Sequence, residues 1–160
     1  MYSALMIADW FIFYNETKRE LFDEDTDEIS NLKLQKLLFY AQAAFLAIKN
    51  KMLFNEDIEA WKHGPVIPEI YNKYKSYGSS GITEYDLKNV KIIEEDEEVK
   101  NILVSVYDLF GEYSAWGLRN LTHSEEPWKT TEINHVISHE KMAKTFKKRK
   151  SSNNRRSIMV

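Results

Sequence analysis

The sequence predicts a mainly α fold: a compact helical domain with a central buried helix and a minor β element. Glycine and proline together account for only 8 of the 160 residues, which disfavours turn-rich sheets. Hydrophobic residues make up 43% of the chain, so a core can form, and it must form without disulfides because there is no cysteine. Apolar residues recur at helical spacing in several segments, whereas strand-like alternation is brief.

The strongest helical segment runs from about residue 32 to residue 49. One face of this helix carries the apolar residues Leu34, Leu37, Leu38, Ala41, Phe45 and Ile48. Much of the remaining surface is also apolar, which is typical of a helix that is buried on all sides. Ser30 or Asn31 is the expected N-cap, since both side chains can accept a hydrogen bond from the first turn.

A short β element is predicted directly after this helix. Residues 57–61 alternate between polar and apolar side chains, as a small strand does. A turn must follow at Gly64, because the residue before Pro65 avoids the helical region. Pro68 then suits the first position of a helix that stops near Gly78.

The remaining segments are read from caps and periodicity. We predict a helix over 3–14 and a polar, acidic connection over 15–29 that extends it only in part, then an extended piece over 82–93. An amphipathic helix follows, starting at about residue 95 and ending before Gly111. Three short elements complete the domain: a helix from Ser114 to about residue 121, a turn at Pro127 and a final helix capped by Ser138.

Charge divides the chain into two parts, a helical domain over 1–146 and a basic, disordered tail over 147–160. The last twenty residues contain eight Lys or Arg and no acid, whereas residues 1–140 carry 14 basic and 25 acidic side chains, a net charge of −11. An acidic body repels phosphate and suits a basic protein partner. The tail predicts weak nucleic-acid binding without sequence preference.

Location and membrane association are predicted from the first residues and from hydropathy. The N-terminus has no basic segment, and Asp9 interrupts its first apolar stretch, so we predict no signal peptide. No apolar run approaches the ~18 residues that a membrane span needs. Together with the absence of cysteine, these features predict a cytoplasmic protein without membrane contact.

No catalytic motif is present: the sequence contains no phosphate-binding loop, dinucleotide fingerprint, nucleophile elbow or zinc-protease helix. His135 and His139 are four residues apart, but no third ligand accompanies them, so we predict neither a metal nor a cofactor. His123 beside Glu125 and Glu126 is more typical of local hydrogen bonding than of acid–base catalysis.

Three motifs resemble the Panacea domain of antitoxins, whose members are also described as SocA-like or GepA-like phage-associated proteins. These are NLKLQKLLFYAQ over 31–42, with Phe39 where a tyrosine is common, EAWKHGPVIPEIY over 59–71, and LTHSEEPW over 121–128. They occur in family order, and the likeness extends over nearly the whole domain.

The resemblance implies a bacterial or prophage protein that is not an enzyme. Its partner would be a cognate toxin encoded in the same operon, neutralised by direct binding that occludes its functional surface. One branch of the family also acts as an adaptor that presents its toxin to a protease.

The aromatic-rich turn is the predicted partner-binding site. Its residues are Trp61, His63, Gly64, Pro65, Val66 and Tyr71. In the alternative interpretation, the turn only builds the fold. Residues assigned to the architecture are Leu34, Gln35, Lys36, Leu37, Leu38, His123, Pro127 and Trp128.

Two other functions stay open at this point. One is a small hydrolase or nucleotide-binding enzyme that uses His63, His123, His135 or His139, and the other is a nucleic-acid-binding protein that works through its tail. A pocket that gathers two histidines and a carboxylate would favour the enzyme, whereas a shallow apolar groove would favour the binding protein.

Overall fold

A computed structural model describes residues 1–22 and 26–152 of the chain. Within these residues the fold is mainly α with a small sheet, as predicted. The helices are α1 (Ala4–Phe22), α2 (Asn31–Lys49), α3 (Pro68–Tyr74), α4 (Leu87–Glu94), α5 (Glu97–Phe110), α6 (Ala115–Ser124), α7 (Glu126–Lys129) and α8 (His139–Ser152). The strands are β1 (Glu59–Trp61) and β2 (Gly64–Val66).

Helix α2 lies at the centre of the molecule, which confirms the predicted central helix. It contacts α1, α3, α5, α6, α8 and β2. Leu34, Leu37 and Leu38 are fully buried in the core. Ser30 is the N-cap, and its hydroxyl oxygen accepts a hydrogen bond from the Lys33 backbone N–H at 3.2 Å.

The two strands form a hairpin on one side of α2. Glu59 lies opposite Val66 and Trp61 opposite Gly64, so the chain turns through only two residues, 62 and 63. A later segment runs along the free edge of β1, where the Ala60 N–H donates to the carbonyl of His135 at 2.9 Å. This edge contact fixes the hairpin against the C-terminal part of the domain.

The extended piece predicted over 82–93 is wrong, because helix α4 occupies most of it. Asp86 caps this helix by accepting a hydrogen bond from the Lys88 N–H at 2.9 Å. Val90 and Ile93, three residues apart, are buried, whereas Ile92 is 48% exposed. The β-branched residues indicated a strand, but their burial follows the helical period.

Helix α1 continues through Phe22, beyond the predicted end at residue 14. Asn15 explains part of this extension, since its buried side chain forms hydrogen bonds through both its nitrogen and its oxygen. Its amide donates to the Asp27 carbonyl at 2.9 Å and accepts from the Tyr107 hydroxyl at 2.6 Å. Residues 23–25 of the predicted acidic connection lie outside the described residues.

Helix α8 runs past the domain boundary predicted at residue 146. Disorder of the tail stays a prediction, but residues 147–152 are helical in this structure. Arg149 accounts for this, because it forms an ion pair with Glu125 and lies 5.4 Å from the ring centroid of Phe110. The rest of the predicted tail, 153–160, lies outside the described residues.

Candidate functional site

The hairpin turn is held in a conformation that requires glycine. Gly64 has a φ of 113°, which L side chains rarely adopt. A Cβ atom at this position would lie 2.6 Å from Cε of Lys36 and 3.0 Å from Oγ1 of Thr122. The turn therefore sits directly on α2 and α6, with no room for a side chain between them.

Polar side chains of α2 bind the backbone of the hairpin and of α3. Nζ of Lys36 donates to the carbonyl of Pro65 at 3.1 Å. Oε1 of Gln35 accepts from the Ile67 N–H at 2.9 Å. Nε2 of the same Gln35 side chain donates to Oδ1 of Asn31 at 2.9 Å. These contacts place the first sequence motif beneath the second and explain its buried polar positions.

The third motif closes over the same hairpin from α6 and α7. The indole N–H of Trp128 donates to the carbonyl of Trp61 at 2.7 Å. His123 stacks on Trp128 with ring centroids 3.7 Å apart, and Pro127 is buried beside them. All three motifs thus meet at one place, which sequence order alone does not show.

The predicted contact residues divide into exposed and buried members. His63 is exposed, and Trp61 and Tyr71 are half-buried, with their rings in edge-to-face contact at 5.1 Å. Pro65 and Val66 are buried and face the protein interior. The two buried side chains, like Gly64, shape the turn in this structure and present no surface to a partner.

Helix α6 adds two residues to this surface that the sequence analysis did not select. Trp116 is 53% exposed, and the guanidinium carbon of Arg119 lies 4.3 Å from the centroid of its ring. Nε of Arg119 also donates to Nδ1 of His63 at 3.3 Å. The spacing of three residues between Trp116 and Arg119 was a usable signal, since it places both on one helix face.

The charges that perturb the basic groups at the turn are all positive. Burial, followed by the positive charge of Arg119, lowers the pKa of Lys36 from 10.5 to about 7. Desolvation and then the same guanidinium lower the pKa of His63 and of His123. Each of these groups is therefore less basic than usual, and each disfavours protonation of the others.

The four histidines do not assemble into one site. His63 and His123 flank the turn, whereas His135 is exposed and pairs with Glu132, 3.4 Å away. His139 begins α8. Across the described ranges 1–22 and 26–152, no three His, Cys, Asp or Glu side chains form a group that could hold a metal ion.

Comparison with known proteins assigns the family. The model of the family "Antitoxin SocA-like, Panacea domain" matches residues 34–129, which include the hairpin, α6 and α7. The chain belongs to this Panacea-domain family. Antitoxin SocA of Caulobacter vibrioides (strain NA1000 / CB15N) is 36% identical over 109 residues, 62% of this chain and 58% of the relative. No solved structure matches significantly.

The chain thus spans somewhat more than half of the length of its curated antitoxin relative. The matched region contains all of the accessible residues described above at the hairpin: Trp61, His63, Tyr71, Trp116 and Arg119. Among the helices of the described residues, none combines the length and apolar character that a bilayer span requires.

Proposed function

We propose that this Panacea-domain chain neutralises a toxin by binding it directly and covering its functional surface. The observation that carries the proposal is the aromatic surface at the hairpin, where Trp61, Tyr71 and Trp116 are at least partly accessible. Trp, Tyr and Arg are the residues most often found at interface hot spots. Family membership in an antitoxin group supports the same conclusion.

The rigidity of this surface favours binding over a merely structural role. Trp61 is fixed through its carbonyl by Trp128 and through its indole N–H, which donates to Glu59 at 2.9 Å. Preorganised side chains lose little conformational entropy when a partner binds, so more of the contact energy appears as affinity. Occlusion needs only such complementarity and involves no proton transfer.

Toxin presentation to a protease, weak nucleic-acid binding by the basic tail, residues 147–160, and cytoplasmic location remain part of the proposal. The family resemblance supports the first, and tail composition supports the second. None of them is needed for neutralisation by occlusion.

The proposal is tested by co-expressing the chain with the product of the adjacent gene in a bacterial host. We expect the wild-type chain to restore growth and to co-purify with that product. Trp61→Ala and Tyr71→Ala should lose both properties while circular dichroism shows a folded chain, because they remove central aromatic contacts.

Tyr85→Ala is the matched control, since Tyr85 is an aromatic residue that is 38% exposed and contacts Phe13 of α1. It should behave as the wild type does. Unchanged growth rescue in both hairpin variants, or absence of any complex with the wild type, would refute the proposal.

A further inference from the structure

Besides Lys62 in the turn itself, four basic side chains surround the hairpin turn at different depths. Lys36 lies at the bottom and has no exposed surface. His123 lies on α6 against Trp128, and Arg119 and His63 lie at the surface, joined by their hydrogen bond. We refer to Lys36, His63, Arg119 and His123 as the basic cluster.

The basic cluster has no carboxylate partner. In the described part of the chain, no ion pair joins any of its members to an Asp or Glu. The charges that perturb Lys36, His63 and His123 are positive in every case. Buried cations are normally paired, so this arrangement costs stability in the free chain.

One polar atom within the cluster is buried and unsatisfied. Among the described residues, Nε2 of His123 is the buried side-chain nitrogen or oxygen without a hydrogen-bond partner. Leaving such an atom unpaired is energetically costly, because it has lost its hydrogen bonds to water. Costly features of this kind concentrate at functional sites.

We propose that the basic cluster is a receptor for one carboxylate of an acidic segment in the partner protein. Arg119 and His63 would contact the carboxylate at the surface, and the exposed ring of Trp116 would cover its apolar stem. Lys36 and His123 lie behind them, and the bound carboxylate would favour their protonated forms, which add positive potential. This inference rests on the proposed function, since it names the chemistry of the partner at that surface.

Charge complementarity favours a protein carboxylate over a nucleic acid. The cluster is small and lies on a body whose first 140 residues carry a net charge of −11. A long polyanion would meet repulsion on both sides of the cluster, whereas a single acidic side chain would not. The Arg guanidinium is also the side chain best suited to a two-point contact with a carboxylate.

The test uses the isolated full chain, labelled for nuclear magnetic resonance, at pH 6.5 and constant ionic strength. The probe is glutamate blocked at both termini, and blocked glutamine is the neutral control. We expect glutamate to shift the signals of Arg119 Nε–H and of both imidazoles saturably and to raise the pKa of His63. Glutamine should bind at least tenfold more weakly.

Arg119→Gln should weaken glutamate binding at least tenfold, and Arg119→Lys should weaken it less, because it keeps the charge and loses the planar fork. Lys91→Gln is the control, since it removes one positive charge from the exposed side of α4. Melting curves show whether each variant folds. If Arg119→Gln does not fold, glutamate binding by Arg119→Lys is compared with that of the wild type instead. Equal binding of glutamine, or full binding by Arg119→Gln, would overturn the proposal.

Inorganic phosphate and a short RNA are added in separate titrations. Binding of either through the same signals at least tenfold more tightly than glutamate would assign the cluster to phosphate and overturn the carboxylate proposal. A chain that binds its toxin but not glutamate would refute the carboxylate receptor and leave the proposed function standing. A chain that binds glutamate but forms no complex would refute the proposed function instead.

Discussion

Lys36 combines two roles that conflict energetically. Its hydrogen bond to the Pro65 carbonyl fixes the turn, yet its ammonium is buried among other basic groups. A neutral lysine avoids the cost of burying charge and keeps lone-pair and N–H groups for hydrogen bonding. At neutral pH this residue is therefore close to its point of half-protonation.

This titration predicts a pH-dependent stability. The folded chain, with a Lys36 pKa of about 7 against an ordinary 10.5, binds fewer protons than the unfolded chain between these values. Stability should therefore rise with pH in this window, by at most about 1.4 kcal/mol per unit. Urea denaturation between pH 7 and pH 9 measures it, below the range where the tyrosines ionise.

Lys36→Met should show a flatter pH profile than the wild type, because the titrating group is gone. The control Lys91→Met, at an exposed position of α4, should parallel the wild type. His63, His123 and Lys33 also have lowered pKa values, but they are present in all three chains and so contribute to every slope alike. Identical slopes for all three chains would show that Lys36 keeps an ordinary pKa.

At the scale of elements, α2 organises irregular backbone as well as the apolar core. The side chain of Gln42 accepts a hydrogen bond from the Leu53 N–H and donates to the Phe54 carbonyl, both at 2.7 Å. These groups lie in a buried segment without regular structure, where an unpaired amide is costly. The glutamines of the first motif therefore replace the hydrogen bonds that a longer sheet would provide.

Gln42→Leu should destabilise the chain by about 2 to 4 kcal/mol, because it leaves both backbone groups unpaired while keeping the side-chain volume similar. Thermal or urea unfolding measures this loss. Leu38→Ala, a core truncation in the same helix, should lower the free energy of unfolding by about 2 to 5 kcal/mol. It serves as the reference against which the loss in Gln42→Leu is compared. A loss below about 0.5 kcal/mol for Gln42→Leu would mean that water or other groups replace the amide.

Helix α8 is attached through a polar contact as well as through apolar packing. Glu125 accepts a hydrogen bond from the buried Tyr40 hydroxyl at 2.6 Å and pairs with Arg149. The Tyr40 ring in turn stacks on Phe110 at 3.9 Å. Basic residues that composition assigns to a tail thus take part in the fold.

Two truncations separate these roles. Removing residues 147–160 should lower stability by about 1 to 3 kcal/mol, since Glu125, whose side chain is 13% exposed in the intact fold, loses its cation. Removing only 153–160 should leave the melting temperature within about 2 °C of the wild type. Equal melting temperatures for both truncations would show that Arg149 contributes nothing to stability.

The sequence was sufficient for the helices that have clear caps and periodicity, such as α2 and α5, and for Pro68 at the start of α3. It failed at α4, where β-branched residues outweighed the Asp86 cap, and at the end of α8. The first error was a local signal misread, whereas the second depends on the contacts of Arg149 with the distant Glu125 and Phe110. The same limit applies to Trp116 and Arg119, because only folding brings them beside His63.

At the scale of the whole molecule, an acidic body presents one basic, aromatic surface where three sequence motifs meet. The remaining surface carries most of the negative charge, and the hairpin surface carries Trp61, Tyr71, Trp116 and the basic cluster. We expect this asymmetry to orient an approaching partner toward the hairpin. The central claim is that a toxin binds there.

Calorimetry of the purified chain with the product of the adjacent gene tests this claim most directly. The account predicts a complex that Trp61→Ala weakens by about 2 kcal/mol or more, roughly 30-fold in Kd, while Tyr85→Ala leaves the affinity unchanged. Both variants must first show wild-type circular dichroism. Equal affinities for the wild type and a folded Trp61→Ala, or no binding by the wild type, would contradict it.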